Sequence, residues 1–273
     1  MNYGFVKIAA IVPTLSVGNP AYNAKSIISA ITACKNEAEI ILTPELCLTT
    51  GSCESLFHQP LLAKESEKAL SVIAEATKKS NALIVIGTPI MYKCALYNCC
   101  AILYKGEIKC LVPKNSGNKW FSGSNTLGNE EATTISGNTV PFIKNGTIAT
   151  TSFTIGIEIG NDAEAPLSPG AKAAVGGAHI ILNPSSISEE AGRHKQLKER
   201  IREQSRRCSC IYVYTESGWG ESTSNAVHSG YSAIAECGNI IAESQRFQTS
   251  EHITIAEPDV EKAANRRIGN NSF

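Results

Sequence analysis

Thiols can ligate metals, cross-link a chain or attack carbonyl carbon, and this sequence carries ten of them. They lie at positions 34, 47, 53, 94, 99, 100, 110, 208, 210 and 237. No Cys-x-x-Cys pair occurs, so a zinc site lacks its usual spacing. Secreted disulfide scaffolds are usually much shorter than this chain. Most of the cysteines fall inside apolar runs, where free cysteine acts as a small hydrophobe, and they read as buried thiols. The histidines, at 58, 179, 194, 228 and 252, show no ligand spacing. A Gly-x-Ser-x-Gly elbow is absent, which argues against a serine hydrolase of that type. The run Lys195 to Arg207 could suggest a phosphate or nucleic-acid contact, but Glu199 and Glu203 interrupt any basic stripe. It reads as the solvated face of a helix.

Three further segments set polar residues at the ends of apolar runs. They are Thr43-Pro44-Glu45-Leu46, Leu111-Val112-Pro113-Lys114, and Ile155-Gly156-Ile157-Glu158-Ile159 followed by Gly160-Asn161-Asp162. Each alone is a weak signal, because short strand-end motifs recur by chance.

The elements that must position them alternate short apolar β-type runs with longer helical patterns. Phe5 to Val12, Glu39 to Leu42, Ala82 to Gly87, Thr147 to Ile159, Ala178 to Leu182 and Cys210 to Thr215 read as strands. Asn183-Pro184 is read as the end of the fifth of these. Ala24 to Cys34, Leu61 to Lys78 and Glu189 to Arg207 read as helices. Lys105-Gly106 and Cys237-Gly238-Asn239 are hairpin turns between apolar runs. Asn115 to Asn145 is polar and rich in Gly, Ser, Asn and Thr, and reads as loop with short strands. Asn145-Gly146-Thr147 matches a glycosylation sequon but is read as a turn.

The 273 residues, 42 % of them apolar, suffice for one sizeable core, and no repeat or low-complexity linker divides them. A single α/β domain over 1–273 is expected, with helices covering a mixed sheet. The 25 basic and 25 acidic residues balance, which argues against nucleic acid or an anionic membrane as partner. No apolar run approaches the roughly 20 residues needed to span a bilayer. The start, Met-Asn-Tyr-Gly-Phe-Val-Lys, lacks the flanks of a signal peptide, and a cytoplasmic location is expected.

Taken in order, the three strand-end segments resemble those of the nitrilase superfamily. More specific segments resemble its glutaminase branch, the amidase domain of glutamine-dependent NAD synthetase. These are Ala21-Tyr22-Asn23, Cys47 directly after Pro-Glu-Leu, Leu96-Tyr97-Asn98-Cys99, Gln204 to Tyr214, Gly220-Glu221-Ser222-Thr223, Ser229-Gly230-Tyr231-Ser232, Ala242-Glu243-Ser244 and the ending Arg266 to Phe273. The likeness runs from about residue 5 to the end of the chain. It implies a four-layer α-β-β-α sandwich, nitrilase-like. It also implies an amidase chemistry in which cysteine attacks the amide, glutamate acts as general base and lysine stabilises the oxyanion. Glu45 and Lys114 take the last two roles by position.

The nucleophile position of the resemblance falls on Gly160, which has no side chain to form a thioester. Asn161-Asp162 replaces the family's Glu-Asp, and Ala163-Glu164 its Leu-Trp. The family's Tyr- and Glu-containing loop after the lysine is shortened here to Asn115-Ser116-Gly117-Asn118 before Lys119-Trp120-Phe121. By resemblance, Trp120, Phe121, Asp162, Ser185 and Ser186 are binding positions. No metal and no cofactor are implied, and no pyrophosphate-binding loop of the synthetase kind is present. The expectation is a degenerate glutaminase acting as scaffold or regulatory subunit, as a homo-oligomer or with an NAD synthetase or related amidase. Two alternatives stay open. One is an active amidase with a rearranged site, for which Cys47, two residues from Glu45, is a candidate nucleophile; Cys208 and Cys210 read as packing thiols. The other is a small-molecule sensor using the old pocket. A sensor predicts an open pocket lined by Glu45 and Lys114, and a scaffold predicts one that side chains fill.

Overall fold

The computed structural model describes residues 4–34, 37–224, 226–269 and 273. Residues 1–3 of the N-terminal heptapeptide and 270–272 of the C-terminal segment lie outside the described residues. Along the chain the elements are β1 (Ile8–Val12), α1 (Pro20–Ala33), β2 (Ile40–Leu42), α2 (Pro60–Ala76), β3 (Leu83–Tyr92), β4 (Ala95–Tyr104) and β5 (Glu107–Pro113). Then come β6 (Ala132–Ile135), β7 (Asn138–Pro141), β8 (Thr147–Ala149), β9 (Thr154–Ile157), α3 (Pro169–Val175), β10 (Ile180–Ser185) and α4 (Arg193–Arg207). The chain closes with β11 (Ile211–Glu216), β12 (Ser232–Glu236), β13 (Asn239–Glu243), β14 (His252–Ala256) and α5 (Val260–Ile268).

Two six-stranded sheets form, in the orders β14-β1-β2-β3-β4-β5 and β13-β12-β11-β10-β9-β8, and β6 pairs β7 as a separate ribbon. Strand alternation decides which side chain enters which layer. In β1, Ile8 and Ala10 face the second sheet, while Ala9 and Ile11 face α1 and α2. In β10, Ile180 and Leu182 face the first sheet, while Ile181 faces α3 and α4. Both faces of each sheet are therefore apolar and buried, and the result is a four-layer α-β-β-α sandwich. Helical spacing accounts for the outer layers. Ile27 and Ile31 of α1, Leu70 and Ile73 of α2, and Leu197 and Ile201 of α4 lie on single faces and are buried. Full burial of one such side chain contributes about 1.5–3 kcal/mol.

Several sequence expectations need correction. Thr147 to Ile159 is not one strand. Thr150 turns the chain, its hydroxyl accepting the Phe153 N–H and its own N–H reaching the Phe153 carbonyl, so β8 and β9 form a hairpin. Asn183-Pro184 does not end β10. β9 pairs with β10 only over Ile180–Leu182, so Pro184 interrupts no ladder with β9, while pairing with β11 continues to Ser185. Glu189 to Gly192 precede α4 rather than beginning it. Within the polar stretch 115–145 the β6–β7 ribbon packs Ile135, Val140 and Phe142 into the outer core. β14 and α5 had no counterpart in the strand and helix reading. The two hairpin turns stand as read, with Lys105-Gly106 and Cys237-Gly238 all at positive φ.

Candidate functional site

Glu45 follows β2, Lys114 follows β5 and Gly160 follows β9, so all three lie where strands of the two sheets end. The turn carrying Glu45 is pressed onto β3. A Cβ on Gly87 would lie 2.3 Å from the Pro44 carbonyl oxygen and 2.4 Å from the Leu46 nitrogen, and only glycine lets the backbones approach that closely. The Thr43 hydroxyl donates to the Val85 carbonyl, and the Glu45 N–H to the Ser185 carbonyl of the other sheet at 3.3 Å.

The Glu45 side chain is 5 % exposed and Lys114's 13 %, and Lys114 Nζ donates to Glu45 Oε1 at 2.7 Å. Asn98 Nδ2 reaches the same oxygen at 2.6 Å, and the Ser186 N–H reaches Oε2 at 2.9 Å. The carboxylate thus holds three donors: two from the first sheet and its β5 extension, one from the second. Asn98 also accepts the Lys114 backbone N–H on its carbonyl at 2.8 Å, which fixes the lysine's origin.

Gly160 faces this pair from the second sheet at φ +55°. A Cβ there would lie 2.4 Å from Glu45 Oε2 and 2.8 Å from Lys114 Nζ. The ion pair therefore fills the space a side chain at 160 would enter. Asn183 Nδ2 donates to the carbonyls of Glu158 and Gly160, at 2.7 and 3.3 Å, and holds this turn to β10.

The remaining candidates divide between packing and an adjacent cavity. Asp162 is buried, and its carboxylate accepts the N–H groups of Asn115 and Ser116 at 2.6 and 3.0 Å, pinning the short loop after Lys114. Phe121 is buried edge-on against Phe57, with ring centres 4.7 Å apart. Ser185 is fully buried at the end of β10. Trp120 stands between His58, edge-on at 4.8 Å, and Lys119, whose Nζ lies 4.5 Å above the ring centre. Trp120 and Ser186 line a cavity of about 270 Å³ with Ser52, Ser188, Ser222 and His228. Ser186 is the link between that cavity and Glu45.

Cys47 does not turn towards Glu45. Its thiol donates to the Thr43 hydroxyl and the Gly87 carbonyl, at 3.0 and 3.5 Å, and burial pushes it up to about 12. Cys208 and Cys210 pack between the second sheet and its helices. Among the described residues no cysteine hydrogen-bonds Glu45, no group of three His, Cys, Asp or Glu side chains converges as a metal site, and no helix is long and apolar enough to cross a membrane. Asn98 and the Ser186 N–H were not singled out from sequence. Asn98 sits in the Leu-Tyr-Asn-Cys run, whose polar residue between apolar neighbours was the available signal. A backbone N–H leaves none.

Comparison with known proteins agrees with this architecture. The glutamine-dependent NAD(+) synthetase of Mycobacterium leprae is 30 % identical over 282 residues, covering 100 % of this chain and 42 % of that protein. Its counterpart in Aquifex aeolicus is 26 % identical over 259 residues, covering 93 % and 42 %. This chain therefore spans less than half the length of those relatives. Among solved structures, a glutamine-dependent NAD(+) synthetase from Cytophaga hutchinsonii superposes with TM-score 0.78 at 23 % identity, covering 93 % of this chain and 43 % of that one. A carbon-nitrogen hydrolase from Helicobacter pylori does so with TM-score 0.75 at 15 % identity, covering 98 % and 94 %. At those identities the likeness carries the fold. The sequence profile described as carbon-nitrogen hydrolase matches residues 7–267. Because that match runs over nearly the whole chain, on a sandwich of the same layers, the chain belongs to the carbon-nitrogen hydrolase family, the nitrilase superfamily.

Proposed function

We propose that this chain is a non-hydrolytic relative of the NAD synthetase glutaminase domain, with Gly160 standing at the cysteine position, and that it serves as a scaffold or regulatory subunit. The observation that carries the reading is the closed Glu45–Lys114 pair in front of a residue with no side chain. Hydrolysis through a thioester needs a nucleophile within hydrogen-bond reach of the base. Here the base is surrounded by Lys114, Asn98 and the Ser186 N–H, and the space between base and Gly160 is filled. A buried ion pair resists loss, because removing one partner strands the other at roughly 3–5 kcal/mol. That accounts for Glu45 and Lys114 persisting without catalysis. A rearranged amidase using Cys47 is disfavoured by that thiol's direction and by its upward shift.

The partner in this reading is a second copy of the chain, an NAD synthetase or a sister amidase. The test has two arms. Purified protein is incubated with glutamine and simple amides and ammonia is measured; no release is expected. The protein is then sized alone and mixed with an NAD synthetase, and a stable assembly is expected. Ammonia release that survives further purification sinks the non-hydrolytic half, and a monomer in both mixtures sinks the scaffold half. A small-molecule sensor is a second reading, favoured by the cavity over Ser186, which Trp120 and five serines line although Glu45 and Lys114 do not. Saturable glutamine binding without hydrolysis would select it.

A further inference from the structure

A second cavity lies at the opposite end of the sandwich. Glu45 and Gly160 follow the carboxyl ends of β2 and β9, whereas this cavity is built at the amino ends of β2, β3 and β9, where Glu39, Leu83 and Phe153 lie. Its volume is about 450 Å³. The cause is topological. β8 has only three residues before the chain turns at Thr150, so the edge of the second sheet fails to cover the first sheet there. The floor is inter-sheet core, with Leu83, Ile102 and Phe153, and Ile148 packed beside them.

The rim is polar, and its two charged residues each have a hydrogen-bonded neighbour. Lys109 pairs with Glu107, and Glu39 accepts the Lys7 N–H. Asn81, Thr151 and Ser152 also stand on the rim, and among the described residues their side chains make no hydrogen bond to protein. An apolar floor of this size under a few neutral donors and acceptors is the make-up of a small-molecule site.

We propose that this cavity binds a small uncharged molecule with an aromatic or aliphatic body and a hydroxyl, amide or carbonyl head. The body lies on Phe153, Ile102 and Leu83, and the head reaches Asn81 and Thr151. The site is independent of the Glu45 end and of the function proposed above.

The test uses 2-naphthol and naphthalene as probes, with binding followed by fluorescence at increasing protein concentration. For 2-naphthol, saturation at one molecule per chain is expected. Ala149→Trp, on the exposed edge strand β8, fills the mouth and should weaken binding about tenfold or more, with Ala149→Leu intermediate. Asn81→Ala combined with Thr151→Ala should weaken 2-naphthol several-fold and leave naphthalene within about twofold. Trp219→Ser, at an exposed aromatic outside this cavity, should leave both unchanged. Thermal midpoints of all variants show that they fold. No saturable binding, equal affinity in Ala149→Trp and Ala149→Leu, or loss of binding in Trp219→Ser would each overturn the proposal.

Discussion

Adding a single carbon at Gly160 tests the closed pair directly. Gly160 sits at φ +55°, a conformation that costs a residue with a Cβ about 1 kcal/mol. The new Cβ of Gly160→Ala would also start 2.4 Å from Glu45 Oε2, so the carboxylate must retreat by roughly 1 Å to reach ordinary contact. It cannot retreat and keep all three donors, because Ser186 lies on one sheet and Asn98 and Lys114 on the other side. Losing one hydrogen bond to a buried charge costs about 1.5–3 kcal/mol. The sum is about 3 kcal/mol, or a fall in thermal midpoint of roughly 6–12 °C for a domain of this size. Urea unfolding followed by circular dichroism measures it. The same substitution in a Glu45→Ala background should lose only the backbone part, about 1 kcal/mol, and the non-additivity is the signature of the contact. Gly160→Cys should be destabilised alike and release no ammonia from glutamine. Equal stability of Gly160→Ala and the parent, or a Gly160→Cys protein that hydrolyses glutamine, would refute the claim that the pair fills this space.

Three other outcomes follow from the same structure. Gly87→Ala should lower stability by about 3 kcal/mol, because the Cβ would meet the backbone that carries Glu45 rather than a movable side chain; thermal unfolding checks it, and a shift under about 2 °C would contradict the contact. Arg267 of α5 donates to the carbonyls of Ala174, Ala178, Cys208 and Ser209, joining the ends of α3 and α4, so Arg267→Ala should cost about 2–4 kcal/mol in urea unfolding. Arg267→Lys should recover little, since one ammonium lacks the planar fork that spans these oxygens. Burial, with the Arg267 charge adding to it, holds His179 below its ordinary value of 6.5. The folded state then binds fewer protons than the unfolded one as pH falls below 6.5, so this contribution is present above that value and lost beneath it. His179→Gln should flatten the decline in stability between about pH 7.5 and pH 5, and unchanged curves would contradict the shift.

How far the sequence could be read depended on the range of each interaction. Glu45 and Lys114 were found because their strand-end segments resemble those of the nitrilase superfamily in order; the pattern of a charge beside a proline was alone too weak to single them out. Their meeting was not a matter of local pattern, since 69 residues separate them. Asn98 entered only as part of the Leu96-Tyr97-Asn98-Cys99 likeness, with no role of its own, although it sits between apolar neighbours where a polar side chain needs a partner. Ser186 contributes a backbone N–H, which any residue but proline could supply, so its type says nothing about its role. The turn at Thr150 was missed because apolar residues on both sides sustain one continuous strand pattern. β14 was missed because its alternation is blurred: Ile255 is exposed at the sheet edge while Thr254 is buried. Pairing across the whole chain, not local preference, makes that segment a strand.

The same pairing has a consequence for the order in which the molecule can be assembled. Every strand of the second sheet comes from one stretch, Thr147 to Glu243, whereas β1 is flanked by β2 and by β14, with Ile8 opposite Ala256, 248 residues later. As the chain emerges during synthesis, the second sheet can close on itself while the first still has an open edge at β1. The polypeptide must hold that edge until residue 256 arrives. Contacts so distant in sequence form slowly, and an unpaired strand edge is where nascent chains aggregate. The strand that seals β1 is therefore made after every strand of the second sheet, and β1 must wait for it.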